Sequence, residues 1–296
     1  MKKKSIALCM ALAMVGLTAC SGSQKPAQTT AAPAETTAAQ TEAASEAEET
    51  SEEASEEEKA EETGEEVTIL VAAAASLKYS YDDELIPMFE KANPGIKVEA
   101  TYDSSGKLQT QIEEGLDADV FMSAAVKQMN ALKDEEMVDA DSIVDLLENK
   151  IVLIVPEGME AKVTGFEDIT NADTIAVGDP ESVPAGQYAK EALTSLGTWD
   201  QVEAKSTKGT NVTEVLNWVA EGSADAGIVY ATDAATTENV KVIAEAPEGS
   251  LSAKVIYPVG IVSASTKKEA AQKFVDFLQS EEAIQVFESY GFSENK

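Results

Sequence analysis

The sequence predicts an α/β protein built as two lobes. Three observations predict it. From Val67 onward, short apolar runs alternate with stretches whose apolar residues recur at helical spacing, which is the signature of strands and helices in turn. Two further runs, near 150–156 and 255–263, are long and continuously apolar, as strands buried on both faces are, and suit crossings from one lobe to the other and back. Residues 21–66 contain no large apolar residue, so the fold begins at Val67. The expected layout is lobe 1 from residues 67–149 and 257–296 and lobe 2 from 150–256. Each holds a mostly parallel sheet flanked by helices, and the two crossover strands serve as a hinge.

The elements follow in order. Val67–Ala73 reads as a strand. After Ser76, the residues Leu77, Tyr81, Leu85, Met88 and Phe89 form one helical stripe, and Asn93-Pro94-Gly95 ends it. Asp82, Asp83 and Glu84 read as a solvated first turn of that helix. Ile96–Tyr102 alternates like a strand. Leu108 and Ile112 give the next helix one buried side, and Gly115 stops it. Asp119–Ser123 is a short strand before a helix through Val126, Met129 and Leu132. Beyond the run at Lys150–Pro156 come a strand at Thr174–Val177, a helix from Pro184 to Leu196, a strand near Val202–Lys205, a helix at Val212–Ala220, and strands at Ala226–Tyr230 and Val240–Ala244. Lys254–Ser263 is the second long apolar run, and two helices close the chain.

Composition removes several kinds of function. The 296 residues include 22 basic side chains, all lysine, against 54 acids and no histidine, for a net charge of −32. Of the acids, 14 glutamates lie in residues 20–66 and 40 acids in residues 67–296. Nucleic acid requires a basic surface, so it is not an expected partner. Without histidine there is no histidine-based nucleophile triad or histidine metal site. Without arginine there is no bidentate guanidinium fork. An oxyanion bound here must rest on backbone N–H groups, hydroxyls or lysines. The two cysteines, Cys9 and Cys20, both precede the globular part, which therefore has no disulfide and no thiol nucleophile. No nucleophile–base pair is visible, and an enzyme is not expected.

Lys2, Lys3 and Lys4 precede an apolar run from Ile6 to Leu17, the layout of a signal peptide over residues 1–19. It ends Leu17-Thr18-Ala19-Cys20, which resembles a bacterial lipobox with Cys20 as the lipidated first residue of the mature chain. Residues 20–66, rich in Ala, Thr, Ser, Pro and Glu, cannot bury enough surface to offset chain entropy. They read as a solvated acidic tether.

Several segments place donors at the junction of a strand and a helix. Ser76 follows four alanines, and Ser104-Ser105-Gly106 precedes a helix. A helix N-terminus leaves its first N–H groups unpaired and carries a positive partial charge, so it favours anions. Taken singly, each serine reads first as an ordinary N-cap. Pro184 suits a first helical turn, which leaves the amides of Ala185 and Gly186 as donors. Thr210-Asn211-Val212 begins another helix, and Tyr230 ends a strand. Lys107 reads as a surface side chain.

The ordered set Ala-Ala-Ala-Ser-Leu, Ser-Ser-Gly-x-Leu, Ala-Asp-Val-Phe-Met-Ser-Ala, Gly-Asp-Pro-x-x-Val-Pro-Ala-Gly-x-Tyr-Ala-x-Glu-Ala-Leu and Gly-Ile-Val-Tyr-x-x-Asp-Ala resembles the molybdate-binding proteins of bacterial ABC importers over about residues 67–294. The resemblance implies a type II periplasmic-binding-protein fold with an oxyanion in the cleft between lobes. It implies that Ser76 and Ser105 bind through hydroxyl and backbone donors, with Ser104 the alternative at the second serine position. It further implies backbone N–H groups from Ala185 and Val212 and the phenol of Tyr230. Molybdate or tungstate is then cargo, with no cofactor, and sulfate is the alternative ligand. The implied partners are an ABC permease and its ATPase subunit, with the receptor a monomer anchored by lipid to the cell membrane. Asp103, next to these serines, is expected to turn its carboxylate away from a bound dianion.

Overall fold

The structure is a computed structural model that describes residues 66–159 and 162–296. The expected signal peptide, Cys20 and nearly all of the tether lie outside the described residues.

Strand β1 (Val67–Ala74) runs into a 3-10 turn (Ala75–Leu77), then α1 (Lys78–Ser80), a π-helical turn (Tyr81–Leu85) and α2 (Ile86–Ala92). β2 (Ile96–Asp103), α3 (Ser105–Glu113), β3 (Val120–Met122), α4 (Val126–Asp134) and β4 (Val144–Asn149) follow. The chain then passes through β5 (Ile151–Pro156), β6 (Ile175–Gly178), α5 (Pro184–Ser195), α6 (Trp199–Glu203), β7 (Ser206–Gly209), α7 (Val212–Ala220), β8 (Ala226–Tyr230), α8 (Ala231–Ala234) and β9 (Val240–Glu245). It ends with β10 (Val255–Ile261), α9 (Lys268–Leu278), α10 (Glu281–Ser289) and β11 (Ser293–Glu294). Among the described residues, no helix is long and apolar enough to cross a membrane.

Two sheets organise these elements, one in each lobe. The first has the order β11-β4-β10-β3-β1-β2 and the second β7-β6-β8-β5-β9. Both are mixed. β1 is parallel to β2 and β3, and β6 is parallel to β7 and β8, as βαβ connections require. Parallel pairing stops where the crossing strands enter. β10 is antiparallel to β3 and β4, and β5 is antiparallel to β8 and β9. The first crossing is nearly continuous, since β4 ends at Asn149 in one sheet and β5 starts at Ile151 in the other. The second lies between β9 and β10. Val255 pairs with Asn149, so β10 joins the first sheet from its first residue.

Register positions the cleft. The β1–β2 pairing ends at Ala74↔Asp103, which sets the turn bearing Ser76 beside Ser104 and Ser105. Ala73↔Met122 brings Ser123 and Ala124 to the same end. In the second sheet, Gly178↔Gly209 places the starts of α5 and α7 at one edge. Ligands of open α/β sheets bind beyond the carboxyl ends of the strands, and both sheets present those ends here.

Burial accounts for the packing. Tyr81, Phe89, Phe274 and Phe287 are fully buried beside the first sheet, and Phe274 meets Phe89 edge to face with ring centroids 5.0 Å apart. All six residues of β5 are buried, as its continuous apolar run predicted. The segment expected as a strand at Val202–Lys205 instead belongs to α6 and the turn after it. Val202 is fully buried from a helix whose Trp199 is also buried, and the strand starts later, at Ser206. β7 is a polar edge strand, so its apolar pattern is weak.

Candidate functional site

A small cavity lies where the two sheets face each other, lined by Ala74, Ala75, Ser76, Asp103, Ser104, Ser105 and Ala124 of the first lobe and Val183, Pro184, Ala185, Val212 and Tyr230 of the second. All five residues expected from sequence line it, Ser76 and Ser105 from the first lobe and Ala185, Val212 and Tyr230 from the second.

The local reasons differ from one donor to the next. α3 has Ser104 as its N-cap residue in extended conformation, without a side-chain cap, so its first amides are left to other partners. α5 opens on Pro184, again without a side-chain cap, and the amide of Ala185 has no helical carbonyl within reach. α7 is capped by Asn211, whose Oδ1 accepts from Glu214 N–H at 3.0 Å, while Glu214 Oε2 accepts from Thr210 N–H at 2.7 Å. That box serves the amides on either side of Val212 and leaves Val212 N–H as a donor. Three helix N-termini thus point their positive ends at one space.

The two serines are not equivalent. Ser105 Oγ accepts from Ala124 N–H at 2.9 Å, which leaves its proton to donate. Ser104 Oγ is buried with no partner, although it lines the same cavity. Asp103 also reaches the wall. Its Oδ1 accepts from Ser104 N–H at 2.8 Å and from Lys107 Nζ at 3.1 Å, so its charge is matched by a lysine that is absent from the lining. Tyr230 donates to the carbonyl of Ala124 across the lobes at 3.3 Å.

A model of the family described as bacterial extracellular solute-binding protein matches residues 69–293. The chain belongs to that family. Among relatives, a Bacillus subtilis protein named as an ABC transporter substrate-binding lipoprotein is 41% identical over 77% of this chain and 87% of its own length. The molybdate-binding protein ModA of Escherichia coli is 38% identical over 77% of this chain and 90% of its own. A solved structure from Clostridium difficile, named as the substrate-binding domain of a molybdenum ABC transporter, is 38% identical with a TM-score of 0.61, covering 78% of this chain and all of that one. The periplasmic molybdate-binding protein of Azotobacter vinelandii, at 21% identity and a TM-score of 0.67 over 77% of this chain and all of that one, shares the fold.

In this solute-binding protein the electrostatics rest on neutral groups. Burial pushes the Tyr230 phenol well above its ordinary pKa, so it keeps its proton throughout the physiological range; that proton goes to the Ala124 carbonyl in this structure and must turn into the cavity to meet an anion. The cavity lining contains hydroxyls, amides, small apolar side chains and the lysine-paired Asp103, with no cation. Such a wall offers donors to an anion and few acceptors to anything that must donate a proton.

Some of the surrounding residues carry no sequence signal. Ala124 contributes both its N–H to Ser105 and its carbonyl to Tyr230, and a backbone role leaves no trace in residue type. Tyr257 and Asn149 lie about 180 and 70 residues beyond Ser76, yet Tyr257 OH is 2.9 Å from Ser76 Oγ. Only the return of β10 into the first sheet brings them together.

Proposed function

We propose that this protein is an extracytoplasmic receptor that binds molybdate, and tungstate comparably, in the cavity between its lobes and hands it to an ABC permease driven by its ATPase subunit. The observation that carries the proposal is the convergence of Ser76, Ser105, Ala185, Val212 and Tyr230, drawn from both halves of the chain, on one cavity without a cationic side chain. The names of its relatives from Escherichia coli and Clostridium difficile support molybdenum oxyanion as the ligand.

A buried dianion is tolerable only when it is well hydrogen-bonded. Amides and hydroxyls at three helix N-termini meet that need. Molybdate, tungstate and sulfate are fully deprotonated near neutral pH and need only donors. Hydrogen phosphate must also give a proton and meets a wall made mostly of donors, so it is disfavoured. Selection of molybdate over sulfate rests on size. The donors come from both lobes, so ligand favours the closed form that a permease recognises. Cys20 holds the monomer to the membrane through its lipid, and residues 20–66 give it reach. The protein acts as a carrier and catalyses no reaction.

Calorimetric titration of the purified protein with molybdate, tungstate, sulfate and phosphate tests this reading. Tight binding of the first two, weak binding of sulfate and no heat with phosphate are expected. Ser76→Ala, Ser105→Ala and Tyr230→Phe should each weaken molybdate by about 10- to 100-fold, the loss of one hydrogen bond to a charged group. Failure to bind molybdate or tungstate would falsify the proposal.

A further inference from the structure

We infer that Tyr257 and Asn149 are positioning residues that fix the direction in which Ser76 gives its proton. The inference rests on the oxyanion site proposed above and concerns groups outside its lining.

The direction follows from hydrogen-bond chemistry. Lys150 N–H lies 2.8 Å from Asn149 Oδ1, and a backbone N–H can only donate, so the oxygen of that amide faces Lys150. The amide nitrogen is therefore the atom that lies 3.2 Å from Tyr257 OH and 2.9 Å from Thr232 Oγ1. An amide nitrogen donates only, so Tyr257 oxygen accepts from it. Two further neighbours remain, Ser76 Oγ at 2.9 Å and the hydroxyl of Tyr230, whose own proton goes to Ala124, and the single buried phenolic proton of Tyr257 is assigned to the Ser76 contact. Tyr257 is fully buried, and burial pushes its pKa well above the ordinary value, so that proton stays in place. Ser76 Oγ receives a proton from behind and keeps its own for the cavity.

The result is a relay from Asn149 to Tyr257 to Ser76 to the oxyanion, each donor polarising the next. Ser105 is treated the same way by a different device, since its oxygen accepts from Ala124 N–H. Both serines are committed donors before ligand arrives. The relay starts at the crossing between lobes, because Asn149 ends β4 and Thr232 lies in α8, two residues after Tyr230. It is also held by packing, with the rings of Tyr230 and Tyr257 edge to face at 5.5 Å. The register shift at Tyr257/Pro258 marks where β10 departs from regular pairing, at a proline that has no N–H to give.

A double-mutant cycle on the full mature protein tests the relay, with molybdate as the probe and calorimetry as the readout. Tyr257→Phe keeps the ring and removes only the hydroxyl. In the wild-type background it should weaken molybdate about 5- to 20-fold. In the Ser76→Ala background it should change the affinity less than about twofold, because the proton it directs is gone. Asn149→Asp replaces the donor by an acceptor, turns the Tyr257 proton away from Ser76, and should weaken molybdate more than Tyr257→Phe does. Melting of the ligand-free variants separates misfolding from a binding defect. Unchanged affinity in Tyr257→Phe, or equal weakening in both backgrounds, overturns the relay and leaves the receptor reading intact. If the wild-type protein binds none of molybdate, tungstate and sulfate, the receptor reading falls and the relay falls with it.

Discussion

Gly106 of the first lobe donates its backbone N–H to the carbonyl of Ser182 in the second at 2.9 Å. A Cβ at Gly106 would stand 2.4 Å from that oxygen and 2.7 Å from Ser182 Cα. The groups in the way are backbone, which cannot rotate aside as a side-chain tip does. The absence of a side chain at residue 106 is therefore what lets α3 approach the turn before α5. Gly106→Ala should hold the lobes apart and weaken molybdate at least about tenfold, while the free protein melts within a few degrees of wild type. Titration and thermal melting of the same preparation check it, and undiminished affinity would show that closure does not depend on this contact.

Asp233 predicts a pH dependence of stability. It is buried beside Tyr230 at the start of α8, one carboxylate oxygen has no partner, and burial pushes its pKa up to about 7 despite N–H groups of Tyr230 and Asp233 that favour the charged form. In the unfolded chain its pKa is about 3.9. Between those values the folded state binds the extra proton, so stability falls as pH rises from about 4 to 7 and is level above. Three units correspond to up to about 4 kcal/mol. Asp233→Asn should flatten that descent. Chemical denaturation of both proteins at pH 5, 6, 7 and 8 measures the difference, and parallel curves would refute the assignment.

Phe274 of α9 fixes the C-terminal helices to the first sheet. Its ring lies 5.9 Å from Tyr81 and 5.0 Å from Phe89, centroid to centroid, with both contacts edge to face. Phe274→Ala leaves a cavity among fully buried rings and should cost about 3–5 kcal/mol. Equilibrium denaturation reads that loss directly, and a change under 1 kcal/mol would mean that the neighbouring rings collapse into the gap.

Much of the fold was legible because burial writes periodicity into sequence. The helix at Val212–Ala220 and the strand at Ala226–Tyr230 were readable to the residue. β4 was not, since Val144-Asp145-Leu146-Leu147-Glu148-Asn149 neither alternates nor runs apolar. β7 was displaced because Ser206-Thr207-Lys208-Gly209 is a polar edge strand, while the apolar Val202 before it belongs to a helix. The candidate donors were legible as strand–helix junctions, but no single junction separates a ligand contact from an N-cap. Asp103 was expected to turn aside, but it lines the cavity, with its carboxylate held by Ser104 N–H and Lys107.

By itself the sequence determined the chemistry available to this protein. Lacking arginine and histidine, it has to meet an anion with hydroxyls, amides or lysines, and its glycines, prolines and serines place those groups at helix starts. Tertiary structure decided which of them act together. Parallel pairing up to Ala74↔Asp103 sets Ser76 beside Ser105, and the return of β10 puts Tyr257 behind Ser76. The reason is physical. Donor capacity belongs to a residue type, but the direction of a proton depends on which partner the fold sets on the other side of the oxygen.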